Sequence, residues 1–325
     1  MLTVKKRGFV FDVPPTPSCH ASTVVKTSAG LLAAWFGGTG ESAPDVDIYL
    51  ARYENGSWQT PERVSEEPGI AHWNPVLFAV GDHVTLYYKV GVHIHEWKTM
   101  RRESFDGGLT FSPADELVPG DETGGRGPVK NKPILLSDGA ILAPASREYA
   151  DGRWRAFTDR SADGGKTFER SAFMETDDPS VKLIQPTLWE DEEGVHALLR
   201  SDQGAAYRAD SRDGGRTWGK AYPTSVPNNN AGLDLTRLPD GNLLLASNPV
   251  GKNWGKRTPL TLSVSSDGAR SFSPLLILED EDGDAAGERS HSSEYSYPAI
   301  LSVGDEVLIT YTWRREKIAY AILGL

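Results

Sequence analysis

One short pattern occurs four times along the chain at a nearly constant interval, and successive copies begin 57, 50 and 54 residues apart. Each copy reads Ser-x-Asp-Gly and ends four residues later at Phe or Trp. This order predicts a tight turn, because the Asp accepts hydrogen bonds from nearby backbone N–H groups and the Gly adopts a positive φ. A repeat of this period is typical of a chain built from similar supersecondary units. The copies are SFDGGLTF from Ser104, SADGGKTF from Ser161, SRDGGRTW from Ser211 and SSDGARSF from Ser265.

A degraded fifth copy, ARYENGSW, places Trp58 53 residues before Phe111, so the chain has room for about six units. The repeated turn resembles the Asp-box, or BNR repeat, of the sialidase-like six-bladed β-propellers. The resemblance implies that each box stabilises the outer rim of a blade, far from the axis where ligands bind. The Asp residues of the boxes are therefore predicted to be structural, and they are Asp106, Asp163, Asp213 and Asp267.

Between the boxes lies a second recurring pattern, in which a polar residue and a Pro or small residue precede two apolar runs joined by a turn. YSYPAILSVGDEVLITYTWRR is one example, and there are six in all. Each predicts a hairpin of two buried strands. The sequence therefore predicts an all-β, six-bladed β-propeller that forms a single domain over residues 1–325. We also expect the N-terminal segment LTVKKRGFVF to supply a strand to the last blade, because the chain ends before a further box.

Composition excludes several classes of function. A net charge of −11 argues against general nucleic-acid binding, and no apolar run is long enough for a membrane helix. The start of the chain lacks the features of a secretory signal, and a single cysteine fits a reducing compartment, so we expect a cytoplasmic protein. His93 and His95 have no evident third metal ligand, and no phosphate-binding Gly loop is present, so we expect neither a metal nor a cofactor. The oligomeric state is left open.

Hairpin geometry predicts which residues surround the ligand site. An antiparallel hairpin brings the start of its first strand and the end of its second strand to the same edge. If the first strands line the axis, both sets of residues lie on one face of the propeller. The residues are His20, Asn74, Lys132, Gln185, Asp234, Tyr295 and Tyr297 from the first set, and Lys89, Arg147, Glu148, Arg200, Asn248, Arg257, Arg314 and Arg315 from the second.

This face is rich in cations although the whole chain is acidic. A local cluster of Arg and Lys indicates an anionic ligand, since a guanidinium forms paired hydrogen bonds with a carboxylate. We predict that Arg200, Arg257 and Lys132 face the pocket, with Arg314 as a further candidate, whereas Arg315 is expected to lie outside it. An acidic oligosaccharide or glycan is the ligand that this arrangement predicts.

The resemblance to sialidases implies roles for four residues. Sialidases bind the substrate carboxylate with three arginines, use a Tyr activated by a Glu as nucleophile, and use a loop Asp as acid and base. Arg200 in HALLRSDQG and Arg257 in SNPVGKNWGKRTPL are similar to two of those arginines. Tyr295, in a Tyr-Ser pair, is similar to the nucleophile, and Asp45, in the loop GTGESAPDVD, is similar to the acid.

At two positions the chain departs from that pattern. His20 stands where the first sialidase arginine would be, and Gln185 lies near the place of the activating Glu. Losing one charged contact weakens binding by about 1.5 to 3 kcal/mol, roughly ten- to a hundredfold. We therefore expect ordinary sialic acid to be a poor substrate. The resemblance is closest to the predicted-neuraminidase group of BNR proteins, whose members share runs such as PNNNAGLD.

Three functions remain open from the sequence. In the first, a sialidase-like glycoside hydrolase acts on an acidic glycan, with Asp45 or Glu148 as acid and Tyr295 or Tyr297 stabilising or attacking the anomeric carbon. In the second, a uronate-specific lyase neutralises the carboxylate with Lys132 or an arginine while His20 or a tyrosine removes the α-proton. The third is a non-catalytic glycan-binding propeller.

Overall fold

A computed structural model describes residues 2–281 and 294–325 of the chain. These residues form six antiparallel sheets, which are the six blades of a β-propeller, and they include no α-helix. The one helical turn is a 3₁₀ segment at Ile94–Glu96. The all-β, six-bladed fold predicted from the repeats is confirmed. In this part of the chain, no helix is long and apolar enough to span a bilayer.

The first three blades follow the chain in order, and in each the predicted apolar hairpin forms two adjacent strands. Blade 1 carries one extra short strand, which pairs with its third strand. Blade 1 consists of β2 (Ser18–Thr27), β3 (Gly30–Gly38), β4 (Asp47–Glu54), β5 (Ser57–Trp58) and β6 (Glu62–Arg63); blade 2 of β7 (His72–Val80), β8 (His83–Val90), β9 (Lys98–Ser104) and β10 (Asp115–Glu116); blade 3 of β11 (Ile134–Leu135), β12 (Ile141–Glu148), β13 (Trp154–Ser161) and β14 (Glu169–Arg170).

The last blade joins the two ends of the chain. Its fourth strand, β1 (Thr3–Phe9), pairs antiparallel with the final strand, so the predicted contribution of the N-terminal segment is confirmed. Pairing of the two ends closes the ring of blades and covers an edge that would otherwise be exposed. Blade 4 consists of β15 (Leu183–Asp191), β16 (Gly194–Ser201), β17 (Ala205–Ser211) and β18 (Tyr222–Pro227); blade 5 of β19 (Asp234–Arg237), β20 (Leu243–Ser247), β21 (Leu260–Ser265) and β22 (Ser273–Glu279); blade 6 of β23 (Tyr295–Val303), β24 (Glu306–Trp313), β25 (Lys317–Gly324) and β1.

The four boxes share one hydrogen-bond pattern, which the copy at Ser211 illustrates. Ser211 Oγ donates to Asp213 Oδ1 at 2.8 Å, and Thr217 donates to the same carboxylate through its backbone N at 2.9 Å and its hydroxyl at 2.6 Å. These hydrogen bonds to the charged form outweigh partial burial and hold the pKa of Asp213 below its usual range. The carboxylate therefore acts within its own turn.

Each box also contacts the preceding blade. Thr158, on the third strand of blade 3, donates to the carbonyl of Gly215 in the next box at 2.7 Å, and the Trp218 indole donates to the Thr158 hydroxyl at 3.0 Å. The third strands of blades 1, 2 and 4 supply the same contact through an arginine. The other three pairs are Arg52 with Gly108, Arg101 with Gly165, and Arg208 with Gly268.

Irregularities in the innermost strands decide which side chains reach the axis. The register of β23 shifts between Ser296 and Ala299, and Tyr297 has a left-handed φ of 52° immediately before a Pro. Residues two apart in a regular strand share one strand face, but the bulge rotates the strand, so Tyr295 and Tyr297 do not. Tyr295 packs inside the blade, whereas Tyr297 turns toward the axis. Equivalent shifts with a positive φ occur at Ala21, Asn74 and Gln185.

Two lysines stabilise the centre of the propeller. Lys132 Nζ lies 3.0 and 2.9 Å from the two carboxylate oxygens of Asp234, which is fully buried and also accepts from the Ile300 backbone N at 3.0 Å. Lys130 Nζ donates to the backbone carbonyls of Leu233 and Pro298. Burial lowers the pKa of Lys130 to about 7. These contacts join the inner strands of different blades, so the charge of Lys132 is matched within the fold.

Candidate functional site

A buried carboxylate lies between two arginines on the axial face. Glu294 Oε1 accepts from Arg257 Nη1 at 2.6 Å and from the Ser296 hydroxyl at 2.7 Å, and Glu294 Oε2 accepts from Arg315 Nε at 3.1 Å. Burial alone would raise the pKa of Glu294, but Arg257 and Arg315 outweigh it and hold the pKa well below its usual range. Glu294 is therefore ionised and fixes the positions of both guanidinium groups.

Arg314 and Arg315 point in different directions from one turn. Arg314 and Arg315 form the turn between β24 and β25, with left-handed φ values of 54° and 57°. This conformation costs roughly 1 to 2 kcal/mol for each non-glycine residue. It directs Arg315 back over the axis to Glu294 and Glu41, while Arg314 turns away to Glu281 and Tyr295. Arg315 is therefore an ion-paired member of the cluster, held by Glu294 and Glu41, whereas Arg314, which the sequence offered as a further candidate, does not join it.

Arg200, at the end of β16, is the third member of the arginine cluster and differs from the other two in its partners. Its Nε donates to Asn230 Oδ1 at 2.7 Å, and its Nη1 donates to Tyr297 Oη at 2.7 Å and to Gln185 Oε1 at 3.2 Å. All three partners are neutral, and Arg200 has no ion-pair partner among the described residues. The side chain is only 4% exposed. A buried cation without a counter-ion is strongly favoured to bind an anion.

Two tryptophans flank Arg200. The guanidinium lies 5.4 Å from the ring centroid of Trp154 and 5.7 Å from that of Trp254. Trp254 is 61% exposed, which is unusual for so large an apolar ring. Asn230, which orients Arg200, is itself held by Asn253 at 2.9 Å, so the run PNNNAGLD and the loop that carries Trp254 support one another. The exposed face of Trp254 beside the buried Arg200 suits a ligand whose ring has an apolar face and carries an anionic group.

His20 and Tyr297 form the floor of this cluster. Their ring centroids are 4.2 Å apart, and His20 Nδ1 lies 2.8 Å from the Thr312 hydroxyl. Burial lowers the pKa of His20 well below its usual value, and Arg315 lowers it further, so the imidazole is neutral near pH 7. Gln185 Nε2 lies 3.4 Å from Tyr297 Oη. The sequence resemblance matched the nucleophile to Tyr295, but the tyrosine with the Gln185 amide at its hydroxyl is Tyr297.

Glu148 is the titratable carboxyl of the cluster that carries no ion pair in the described chain. It ends β12 and is half-buried. Burial raises its pKa, with nearby Arg200 and Lys182 acting in the opposite direction and Glu41 reinforcing the rise. A carboxyl with a raised pKa beside a cationic pocket is suited to act as a general acid.

Other residues predicted for the site lie apart from this cluster or contribute differently. Asp45 is exposed and accepts from Thr39 through its backbone N at 3.0 Å and its hydroxyl at 2.9 Å, so it stabilises its own loop. Glu41, in the same loop, reaches Arg315 instead. Asn74 is buried at the bulge of blade 2, with no hydrogen bond to its side chain among the described residues. Lys132 and Asp234 neutralise each other. The Tyr295 hydroxyl accepts from Arg314, and its backbone N donates to the Arg257 carbonyl, so the Tyr295 side chain lies apart from the cluster.

Sequence reasoning missed Glu294, Asn230 and the two tryptophans. Glu294 directly precedes the Tyr-Ser pair, but hairpin geometry selected only residues at the strand ends themselves. No signal in the sequence marks the left-handed turn at Arg315, because such turns are usually formed by Gly, Asn or Asp. No group of three potential metal ligands occurs among the described residues.

Comparison with known structures supports the fold. A protein of unknown function from Dyadobacter fermentans is 17% identical and superposes with a TM-score of 0.79, covering 100% of this chain and 99% of that one. A Hadza microbial sialidase is 16% identical with a TM-score of 0.76, covering 95% of this chain and 66% of that one. Trypanosoma rangeli sialidase in complex with sialic acid is 13% identical with a TM-score of 0.70, and the match covers 98% of this chain and 58% of that one. At such identities the similarity establishes the fold alone.

The chain spans only about two thirds or less of the length of these two sialidases. A comparison with curated protein sequences gave no significant match. The sequence profile of the BNR repeat-like domain, however, matches residues 29–309, which is most of the chain and includes all four boxes. This protein therefore belongs to the BNR repeat-like domain family.

Proposed function

We propose that this protein is a sialidase-like glycoside hydrolase that acts on a carboxylate-bearing sugar in an acidic glycan. The observation that carries the proposal is Arg200, a buried guanidinium held only by neutral partners. A sugar carboxylate would supply the missing counter-charge. Arg257, whose guanidinium lies 5.5 Å from the ring centroid of Tyr297, is the second arginine beside that ring.

Glu148 is the proposed general acid. Its carboxyl transfers a proton to the glycosidic oxygen as the bond from that oxygen to the anomeric carbon breaks, and water then supplies the hydroxyl group of the released sugar. Tyr297 is the residue proposed to stabilise or attack the anomeric carbon. Because Gln185 cannot accept its proton, Tyr297 lacks the activating carboxylate that sialidases use, and this supports a substrate other than an ordinary sialoside.

A specific observation favours elimination as a second candidate. His20 is neutral near pH 7, and its Nε2 has no hydrogen-bond partner in the described chain. A neutral imidazole beside arginines that neutralise a uronate could remove the α-proton, while the leaving oxygen takes a proton from Tyr297 or Glu148. The product would then contain an unsaturated sugar.

A matched pair of substrates tests the hydrolase proposal. The purified protein is assayed with a chromogenic glucuronide and with the corresponding glucoside, which lacks the carboxylate, and with a sialoside as a third substrate. We expect the chromophore to be released from an acidic glycoside and little of it from the glucoside. Glu148→Gln should lose turnover. Asp163→Ala, in a box on the outer rim, is the matched control and should retain turnover.

Incubation of the protein with oligouronides separates hydrolysis from elimination and from binding alone. Oligouronides incubated with the protein would gain ultraviolet absorbance if elimination occurs, whereas hydrolysis leaves the absorbance unchanged. Binding of acidic oligosaccharides without turnover would identify a non-catalytic glycan-binding propeller. Equal turnover of the glucuronide and the glucoside would contradict recognition of the carboxylate.

A further inference from the structure

A cleft opens between blades 3 and 4, beside the axial cluster. It has a volume of about 340 Å³, which is at the lower end of the range for small-ligand pockets. Its walls come from the start of β13, the segment before β15, and Lys220. The start of β13 pairs with the end of β12 at Glu148, so the cleft lies on the same face of the propeller as the arginine cluster.

The cleft and the axial site share one wall. The Trp154 ring lies 5.4 Å from the Arg200 guanidinium and 5.5 Å from the Lys182 ammonium. Arg200 belongs to the axial cluster, whereas Lys182 lines the cleft. The two charges are therefore close enough for one pair of linked sugar rings to reach both.

Lys182 is a cation available for a ligand. Its backbone N donates to Asp202 at 3.1 Å, but its ammonium has no ion-pair partner among the described residues. Elsewhere in the cleft, Arg155 and Lys220 both lie near Glu175, at 3.0 and 3.6 Å, so much of their charge is neutralised. The charged lining nevertheless remains net cationic, and its members are Arg153, Arg155, Lys182 and Lys220 against Glu175 and Asp177.

Glu148 lies close to both charges. It pairs directly with Trp154 between β12 and β13, and the Trp154 ring lies 5.4 Å from the Arg200 guanidinium and 5.5 Å from the Lys182 ammonium. The glycosidic oxygen that joins two sugars lies between their subsites. An acid at that boundary is therefore within reach of this oxygen.

We propose that the cleft is a second subsite, which binds the leaving-group sugar of an acidic oligosaccharide, with Trp154 packing against the ring and Lys182 pairing with an anionic substituent. This inference rests on the proposed hydrolase function and adds that the enzyme recognises at least two sugar residues. The substituent is a carboxylate or a sulfate, both of which an unpaired ammonium binds.

Binding of acidic monomers and dimers tests the subsite. Isothermal titration calorimetry is performed with galacturonic acid and digalacturonic acid, and with N-acetylneuraminic acid and its α2,8-linked dimer. In at least one pair, the parent protein should bind the dimer about tenfold or more tightly than the monomer. Lys182→Met should remove that difference without changing the monomer affinity, and Lys166→Met, on the outer rim, should preserve it.

Arg200→Ala distinguishes this proposal from the proposed function. If Arg200→Ala abolishes monomer binding but the parent binds monomer and dimer equally, the axial site stands and the second subsite is refuted. A dimer that binds no better than its monomer in both pairs, including the case in which neither binds, overturns the subsite. Equal losses of monomer and dimer affinity in Lys182→Met, with an unchanged melting temperature, would also overturn it.

Discussion

Replacing Arg200 with Ala should abolish most binding of an acidic ligand while the propeller stays folded. The side chain contacts Asn230, Gln185 and Tyr297, none of which is charged, so its removal leaves no buried ion without its partner. Three hydrogen bonds to neutral acceptors are lost, but the cost of burying an unmatched guanidinium is relieved as well. We therefore expect only a small change in the free energy of unfolding.

The effect on binding is larger. In the complex, the ligand carboxylate would lose a charge-assisted contact in a pocket where Arg200 is 4% exposed and water cannot easily replace it. Such a contact is worth about 1.5 to 3 kcal/mol, and a desolvated carboxylate without its partner adds to the loss. We expect a loss of at least about 2 kcal/mol, or roughly thirtyfold in Kd or in kcat/KM. Arg200→Lys should recover only part of it, because an ammonium cannot form the planar fork.

The measurement pairs calorimetric binding of acidic oligosaccharides with thermal unfolding of the same samples. Asp213→Ala is the reciprocal control. It removes the carboxylate that accepts from Ser211 and Thr217, so it should lower the free energy of unfolding by about 1 to 2 kcal/mol with little change in affinity. If Arg200→Ala binds an acidic ligand as tightly as the parent, carboxylate recognition by this site is refuted.

Four further outcomes are expected. Burial raises the pKa of Glu148, so kcat should fall as pH rises through that pKa, and the residual turnover of Glu148→Gln should not show this fall. The same fall in the variant's residual turnover would exclude this acid. Lys132→Met should lower the free energy of unfolding by about 3 kcal/mol, because Asp234 is then a buried charge without its partner. A double variant with Asp234→Leu should recover part of that loss, and additive losses would contradict the pairing. Glu294→Gln should destabilise the fold near pH 7. Because the folded-state pKa of Glu294 is depressed, its contribution to the free energy of unfolding is present above about pH 4.3 and is lost as the pH falls. Urea titrations of parent and variant should therefore converge in acid. Arg257→Ala should also weaken acidic-ligand binding by at least about 2 kcal/mol, and calorimetry showing unchanged affinity would remove it from the clamp.

The sequence by itself determined the architecture, because the signals for it are local. The turn around Asp213 needs only residues within one octapeptide, and the hydrogen bonds of the Asp213 carboxylate are all made inside that segment. The six apolar hairpins are likewise contiguous, so their number and the strand pairing within them could be read directly. Even the position of Arg200 followed from its place at the end of a second strand.

Only the tertiary structure decided which of the strand-end residues meet. The bulge that turns Tyr297 toward the axis and leaves Tyr295 in the blade is not visible in a pattern of alternating residues. Two consecutive left-handed residues bring Arg315 to Glu294, and their conformational cost is offset by ion pairs with groups far away in sequence. Lys132, which the sequence predicts to bind the ligand, is neutralised by Asp234 on another blade. The cluster of cations in the sequence predicts an anion site. Whether a carboxylate or a neutral group lies beside each cation depends on residues from other blades, which are distant in sequence and adjacent only in the folded ring.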